Sequence, residues 1–247
     1  MTPTENFISH LIELRSRLLR IVAGLILSFL MLVPFAKNIY ALLAAPLLSK
    51  LPMGGQMIAT GVTTPFFVPM KVAMMAAFLI SLPHTLYQVW AFVAPGLYAH
   101  EKKFMIPMII FSSVLFLLGM AFAYFLVFPV VFGFIVGTAP AGVAVMTDIG
   151  NYLDFVMTMF FAFGLAFEVP IGVVMAVRFG WVDIAALKGM RGYVVVAAFV
   201  VGAIFTPPDI ISQFMLAVPM WLLYELGIIV AKVTKKKAEP TILPPAL

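Results

Sequence analysis

From residue 104 to residue 128 the chain carries no charged side chain, and the stretch exceeds the roughly 20 helical residues that cross a hydrocarbon core. Comparable apolar runs fall at about 21–35, 65–90, 155–177 and 193–205, and from 210 onward. Six such runs leave little else in 247 residues. Charged residues make up 10% of the chain, against about 25% in a soluble domain, too few to coat a water-soluble globule. In lipid every backbone N–H and C=O must find a partner inside the structure, and a helix provides this within one segment. The chain therefore reads as an all-α polytopic membrane protein with six transmembrane helices. The span domain covers 1–232, and the basic, Pro-rich tail 233–247 reads as disordered. With no cysteine there is no disulfide or thiol chemistry. The net charge of +5 does not point to nucleic acid, because no loop is long enough to build a groove.

The N-terminal stretch 2–18 predicts an amphipathic helix. Thr2, Pro3 and Glu5 supply a cap, a first-turn proline and an early acid. Phe7, Leu11, Leu14 and Leu18 recur at helical spacing, with Glu13, Arg15, Arg17 and Arg20 mostly elsewhere. Such a helix lies in the membrane interface. Bases followed by an apolar run also mimic a signal peptide. The long patterned helix and the five later spans argue against cleavage. Residues 36–65 form the longest non-spanning segment, with a short surface helix expected near 39–48. Pro83 lies inside the second span, Pro129 is expected to stop the third, and 130–151 reads as a loop. The fifth run is about 13 residues, or about 20 Å of helix. With the sixth run it predicts a short hairpin, turning at Thr206-Pro207-Pro208-Asp209, around which the bilayer thins.

Bases favour the cytoplasmic side of a membrane. With the N-terminus inside, that side holds Arg15, Arg17, Arg20, Lys102, Lys103, Arg178, Lys188, Arg191, Lys232 and Lys235 to Lys237. The other side holds Lys37, Lys50 and Lys71. Both termini are thus expected in the cytoplasm. So is the polar island Phe92 to Lys103, which carries an aromatic, a Pro-Gly break, an acid and two bases.

Glu168 is the clearest functional signal from the residues alone. It sits near the middle of its span, where an ionised side chain facing lipid is disfavoured by at least about 2.5 kcal/mol. It is expected to face a concave, water-containing groove of the bundle, where a partner helix or cargo docks. The plainer account is a neutral acid bonded to a neighbouring helix, with the carbonyl freed by Pro170 as one acceptor. Thr206 and Gln213 flank the hairpin turn and offer polar contacts to another subunit's helix, or else satisfy the proline-broken backbone locally.

The chain resembles the TatC family, the polytopic core subunit of the twin-arginine protein translocase. The likeness rests on His10-Leu11-Ile12-Glu13-Leu14-Arg15-Ser16-Arg17, Thr64-Pro65-Phe66-Phe67, Tyr87-Gln88-Val89-Trp90-Ala91-Phe92-Val93-Ala94-Pro95-Gly96-Leu97, Glu101, Phe167-Glu168-Val169-Pro170, and Phe205-Thr206-Pro207-Pro208-Asp209. It implies a signal-peptide receptor that moves folded proteins across the bacterial inner membrane on the proton-motive force. It implies an oligomeric complex with small single-span Tat subunits of the TatA/TatB type. It assigns Glu101 to reading the twin arginines, with Phe92 beside it. A carboxylate's two coplanar oxygens suit a guanidinium fork, although an acid at a helix start also answers the helix dipole. Glu13 offers a second carboxylate to the same site, or a surface pair with Arg17 one turn on. Arg15 and Arg17 position the N-terminal helix or contact anionic headgroups of the bilayer.

No phosphate loop, nucleophile elbow or zinc motif occurs, and His10, His84 and His100 share no ligand spacing. The chain therefore reads as a non-enzyme without metal or cofactor. The competing reading is a proton-coupled small-solute transporter with Glu168 as its proton site. A purely structural membrane scaffold is the third.

Overall fold

The computed structural model describes residues 3–51, 56–93, 105–140, 146–206 and 209–238, and they are almost entirely helical. Helix α1 is continuous over Pro3–Leu32. The sequence divides this stretch into an interface helix and a separate span. The structure joins them, because neither proline nor glycine interrupts Leu18 to Ile21. A 30-residue helix is about 45 Å long, enough to hold both an apolar span and a protruding arm.

A 3₁₀ turn at Val33–Phe35, opened by Pro34, leads into α2 (Ala36–Leu48). This is the short helix expected near 39–48, begun three residues earlier. One of its faces is buried against α3 (Thr64–Val93). Pro46 has no N–H to give the carbonyl of Leu42. The Tyr124 hydroxyl fills that place, donating to Leu42 O at 2.7 Å, and the Tyr152 hydroxyl donates to the next carbonyl, Leu43 O, at 2.5 Å.

The third span does not stop at Pro129. Helix α4 (Met105–Phe122) passes through a π turn at Ala123–Val127 into α5 (Phe128–Gly137). Within the turn the Phe128 N–H reaches back to Ala123 O, an i to i−5 bond. The wider turn changes the hydrogen-bond register just where Pro129 offers no donor, so the helix continues. The loop expected over 130–151 is therefore helical to Gly137. Helix α6 (Ile149–Arg178) likewise begins before 155, because Asp148 caps it by accepting from the N–H groups of Gly150 and Asn151. Then follow α7 (Ile184–Gly189), α8 (Arg191–Phe205) and α9 (Ile210–Ala238). The last helix runs past residue 232 to Ala238.

Helix α6 is the centre of the bundle and packs against α3, α4 and α9, while α1 leans on α3 and α8 on α9. Its buried Leu153, Val156, Met159 and Phe163 join Phe128, Val131 and Val72 in the main core. At α4 the backbones nearly touch. A Cβ on Gly119 would run into the Phe163 carbonyl oxygen, and one on Gly164 would meet the Phe116 ring at about 2.5 Å. Close approach through small residues is how helices associate where lipid supplies no hydrophobic drive. Among the described residues five segments are long and apolar enough to cross a membrane, and α8 is a shorter apolar helix of 15 residues.

At the end away from the N-terminus, the loop before α3 is zipped to the loop before α6. Ile58 N–H donates to Thr147 O at 3.0 Å, and Ile149 N–H donates to Ile58 O at 2.9 Å. Asp148 also accepts from the N–H and hydroxyl of Thr60 at 2.9 and 2.7 Å. Lys71 on α3 pairs with Asp154 on α6 at 2.8 Å.

Candidate functional site

The N-terminal arm of α1 lies along the last turns of α3. His10, Glu13, Arg17 and Gly24 follow one another at helical spacings that keep them on one face of α1, and His84, Gln88 and Phe92 do the same on α3. The contacts run the length of this seam. The His10 ring stacks on Phe92 with centroids 4.4 Å apart and planes 18° from parallel. His84 donates through Nε2 to Arg20 O at 3.2 Å, and its ring fills the space where Gly24 has no Cβ.

Between these fixed points lies Glu13. Arg17 donates to Glu13 Oε1 from both Nη2 and Nε, at 2.6 and 2.9 Å. This is the pair expected at one-turn spacing, but it is not on a solvated face. The Arg17 side chain is 19% exposed, whereas Leu14, Arg15, Ser16 and Leu18 are exposed, so the pair belongs to the packing face. His10 Nδ1 lies 4.0 Å from the other Glu13 oxygen, Oε2. Arg15 points away from the seam's less exposed stripe. Glu101, and with it the site expected to be shared by Glu13 and Glu101, lies outside the described residues.

Gln88 is 5% exposed, one turn before Phe92, and its Oε1 has no donor among the described residues. Sequence reasoning named His10 and Gln88 within the family stretches but gave neither a place in the site. The signals were available in the i, i+3 spacing of His10 and Glu13 and in the four-residue spacing of His84, Gln88 and Phe92.

The intramembrane candidates lie apart from this seam. Glu168, half-buried on α6, accepts a hydrogen bond from Ser112 Oγ on α4 at 2.6 Å. Its second oxygen, Oε1, is buried without a partner among the described residues. The bond is to the neighbouring helix, as the plainer account has it, but to a side chain rather than to the carbonyl freed by Pro170. In the hairpin, Thr206 Oγ1 donates to Gly202 O at 2.8 Å, and Gln213 Nε2 donates to Phe199 O at 2.9 Å. Both donors serve the hairpin's own backbone. Asp209 caps α9 by accepting from Ser212 N–H at 2.7 Å. At the hairpin's other end Arg191 pairs with Glu225 at 2.6 Å.

Among the described residues outside the spans, Asp148 is the strongest electrostatic perturbation. The Thr60 N–H and hydroxyl, then the Asn151 and Gly150 N–H groups, stabilise its carboxylate and hold its pKa down from an ordinary 3.8 to about 2. Among the described residues no group of three or more His, Cys, Asp or Glu side chains forms a metal site.

A family model for the Sec-independent protein translocase protein (TatC) matches residues 9–219. The chain is 54% identical to the Sec-independent protein translocase protein TatC of Azotobacter chroococcum mcd 1, over 94% of this chain and 91% of that protein. It is 52% identical to the protein of the same description from Escherichia coli strain K12, over 91% of this chain and 87% of that one. A crystal structure described as the twin arginine translocase receptor TatC is similar throughout. Its TM-score is 0.78 at 36% identity, covering 92% of this chain and 99% of that one.

Proposed function

Because the chain belongs to the TatC family of Sec-independent protein translocase proteins, we propose that it is the signal-peptide receptor and core subunit of a twin-arginine translocase. Membership makes it a multi-pass membrane protein that works in a complex with other Tat subunits, in a family of translocase components rather than enzymes. It also replaces the solute-transporter reading. The finer reading is that the chain binds the twin-arginine signal peptides of folded cargo, which the assembled complex exports using the proton-motive force. Six spans, with α8 the short fifth, leave both termini in the cytoplasm of a bacterial inner membrane.

One observation carries the receptor reading. At the N-terminal end the Glu13 carboxylate already grips a guanidinium, that of Arg17, through two short hydrogen bonds, with the Phe92 ring close by on the same seam. A carboxylate beside an aromatic face is the chemistry that reads an arginine. Glu101 adds the second carboxylate in this reading. Glu168 faces the groove where a later partner docks, and the outer surface of the hairpin around Thr206 and Gln213 takes a single-span Tat subunit.

The test is photo-crosslinking from positions 92 and 101 to a twin-arginine signal peptide, with a twin-lysine peptide as control. Adducts with the first and not the second are expected. Glu101→Lys is expected to abolish binding in a protein that still folds; undiminished binding would remove Glu101 from the site.

A further inference from the structure

The seam between α1 and α3 contains, within the chain itself, the two partners that an incoming arginine needs. One is a flat aromatic face, and His10 covers it. The other is a carboxylate, and Arg17 holds it. His10 presents a planar, nitrogen-bearing ring against Phe92, with Nδ1 turned to within 4.0 Å of Glu13 Oε2. A guanidinium docked there would do the same: stack on the ring and point N–H groups at the acid. We propose that His10, with Arg17 beside it, occupies this site in the resting chain as an internal stand-in for a signal-peptide arginine, and that docking displaces it from Phe92. The inference rests on the reading of Phe92 as part of the signal-peptide site.

The seam is poised for that exchange. Gln88 lies one turn below Phe92, nine-tenths buried, and its amide oxygen has no donor among the described residues. A buried acceptor without a donor disfavours the closed state that holds it. Parting α1 from α3 at this end gives Gln88 Oε1 access to a peptide N–H or to water. The far end of the seam is held separately, by His84 against Arg20 O and Gly24. The arm therefore swings from its base and does not detach. His10 and Gln88 act on recognition through Phe92 and the seam; they are positioning residues.

The experiment uses the full chain in nanodiscs and a fluorescent twin-arginine signal peptide, with a twin-lysine peptide as control. His10→Ala uncovers Phe92, and the twin-arginine peptide is expected to bind about two- to tenfold more tightly, the range set by losing one stacked ring pair. His10→Phe restores a stack and is expected to return affinity to the wild-type value, a rescue that no loss of folding would give. Gln88→Met removes the acceptor that has no donor among the described residues, at similar volume. It is expected to raise the thermal midpoint and to slow peptide association, whereas a purely structural role would raise the midpoint alone. Unchanged or weaker binding by His10→Ala, while Phe92→Ala still loses binding, overturns the stand-in and leaves the Phe92 site intact. Wild-type binding by Phe92→Ala overturns the site reading, and the stand-in with it.

Discussion

The α1–α3 seam and the α4–α6 seam join helices of the same bundle by opposite means. Between α4 and α6 the contact is made at glycine backbone, with Gly119 under the Phe163 carbonyl and Gly164 under the Phe116 ring. Nothing there can leave without opening a void. At the N-terminal end of α1 polar side chains line the seam: His10 stacks on Phe92, Arg17 holds Glu13, and buried Gln88 has no donor to its Oε1 among the described residues. Each of those groups can trade its partner for another of the same chemistry. The lesson is that dry, glycine-mediated packing fixes the frame, and a polar seam on its margin is left exchangeable.

The sharpest way to break the contrast is to overpack the rigid seam. Gly119→Leu drives a side chain into the Phe163 backbone. It is expected to destabilise the bundle by about 1–3 kcal/mol or more, seen as a lower thermal midpoint and poor accumulation in membranes. Tolerance of that change would mean that α4 and α6 are not in fixed register.

Phe92→Ala tests the exchangeable seam. It is expected to weaken signal-peptide binding about tenfold, or about 1.4 kcal/mol, while shifting the thermal midpoint little. A large midpoint loss with normal peptide binding would make this seam structural as well.

Glu168 is the polar exception within the rigid seam, on α6 and bonded through Ser112 to α4. Glu168→Gln keeps an acceptor for the Ser112 hydroxyl and is expected to fold like the parent. Glu168→Ala strands that hydroxyl and should lose about 1 kcal/mol. Chemical denaturation of the two variants side by side separates them, and transport assays then show whether the charge, beyond the hydrogen bond, is needed.

The smallest effect is expected at the zipped loops. The folded-state pKa of Asp148, about 2, lies below its ordinary 3.8, so its contribution is complete above about pH 4 and fades as pH falls through 2. Asp148→Asn is expected to remove that pH dependence. Amide exchange at Ile58 and Ile149 between pH 2 and 5 reads it directly, and identical profiles for parent and variant would exclude Asp148 as the source.

The frame was largely legible because it is written in runs of residues. Apolar length placed the spans, and α8 ends at Phe205 and α9 begins at Ile210 on either side of the expected turn, whose Pro207 and Pro208 lie outside the described residues. What the sequence concealed depended on partners distant in the chain. The stop expected at Pro129 failed because a π turn re-routed the hydrogen bonds. For Gln213 the sequence left two readings open, a contact for another subunit's helix or local satisfaction of the backbone, and its amide N–H serves the backbone of Phe199. Ser112 and Glu168 are 56 residues apart, and no spacing rule joins them. Glu13 and Arg17 were correctly paired by local spacing, but the face they occupy follows from where α3 lies.

The π turn at Ala123–Val127 has a consequence for how this chain tolerates changes in length. Each residue of an α-helix advances the chain by about 100°. Beyond the turn, Phe128 meets Phe155 and Phe160, and Phe132 meets Tyr152 and Phe155. Deleting one residue within Ala123–Val127 would remove the residue that the wider turn absorbs and leave those rings facing α6, whereas deleting one from α4 or α5 would swing them together off it. An insertion between α7 and α8 would meet no such constraint. The third span therefore behaves like a keyed shaft, indifferent to many substitutions along its lipid-facing side but tolerant of a change in count only at that turn.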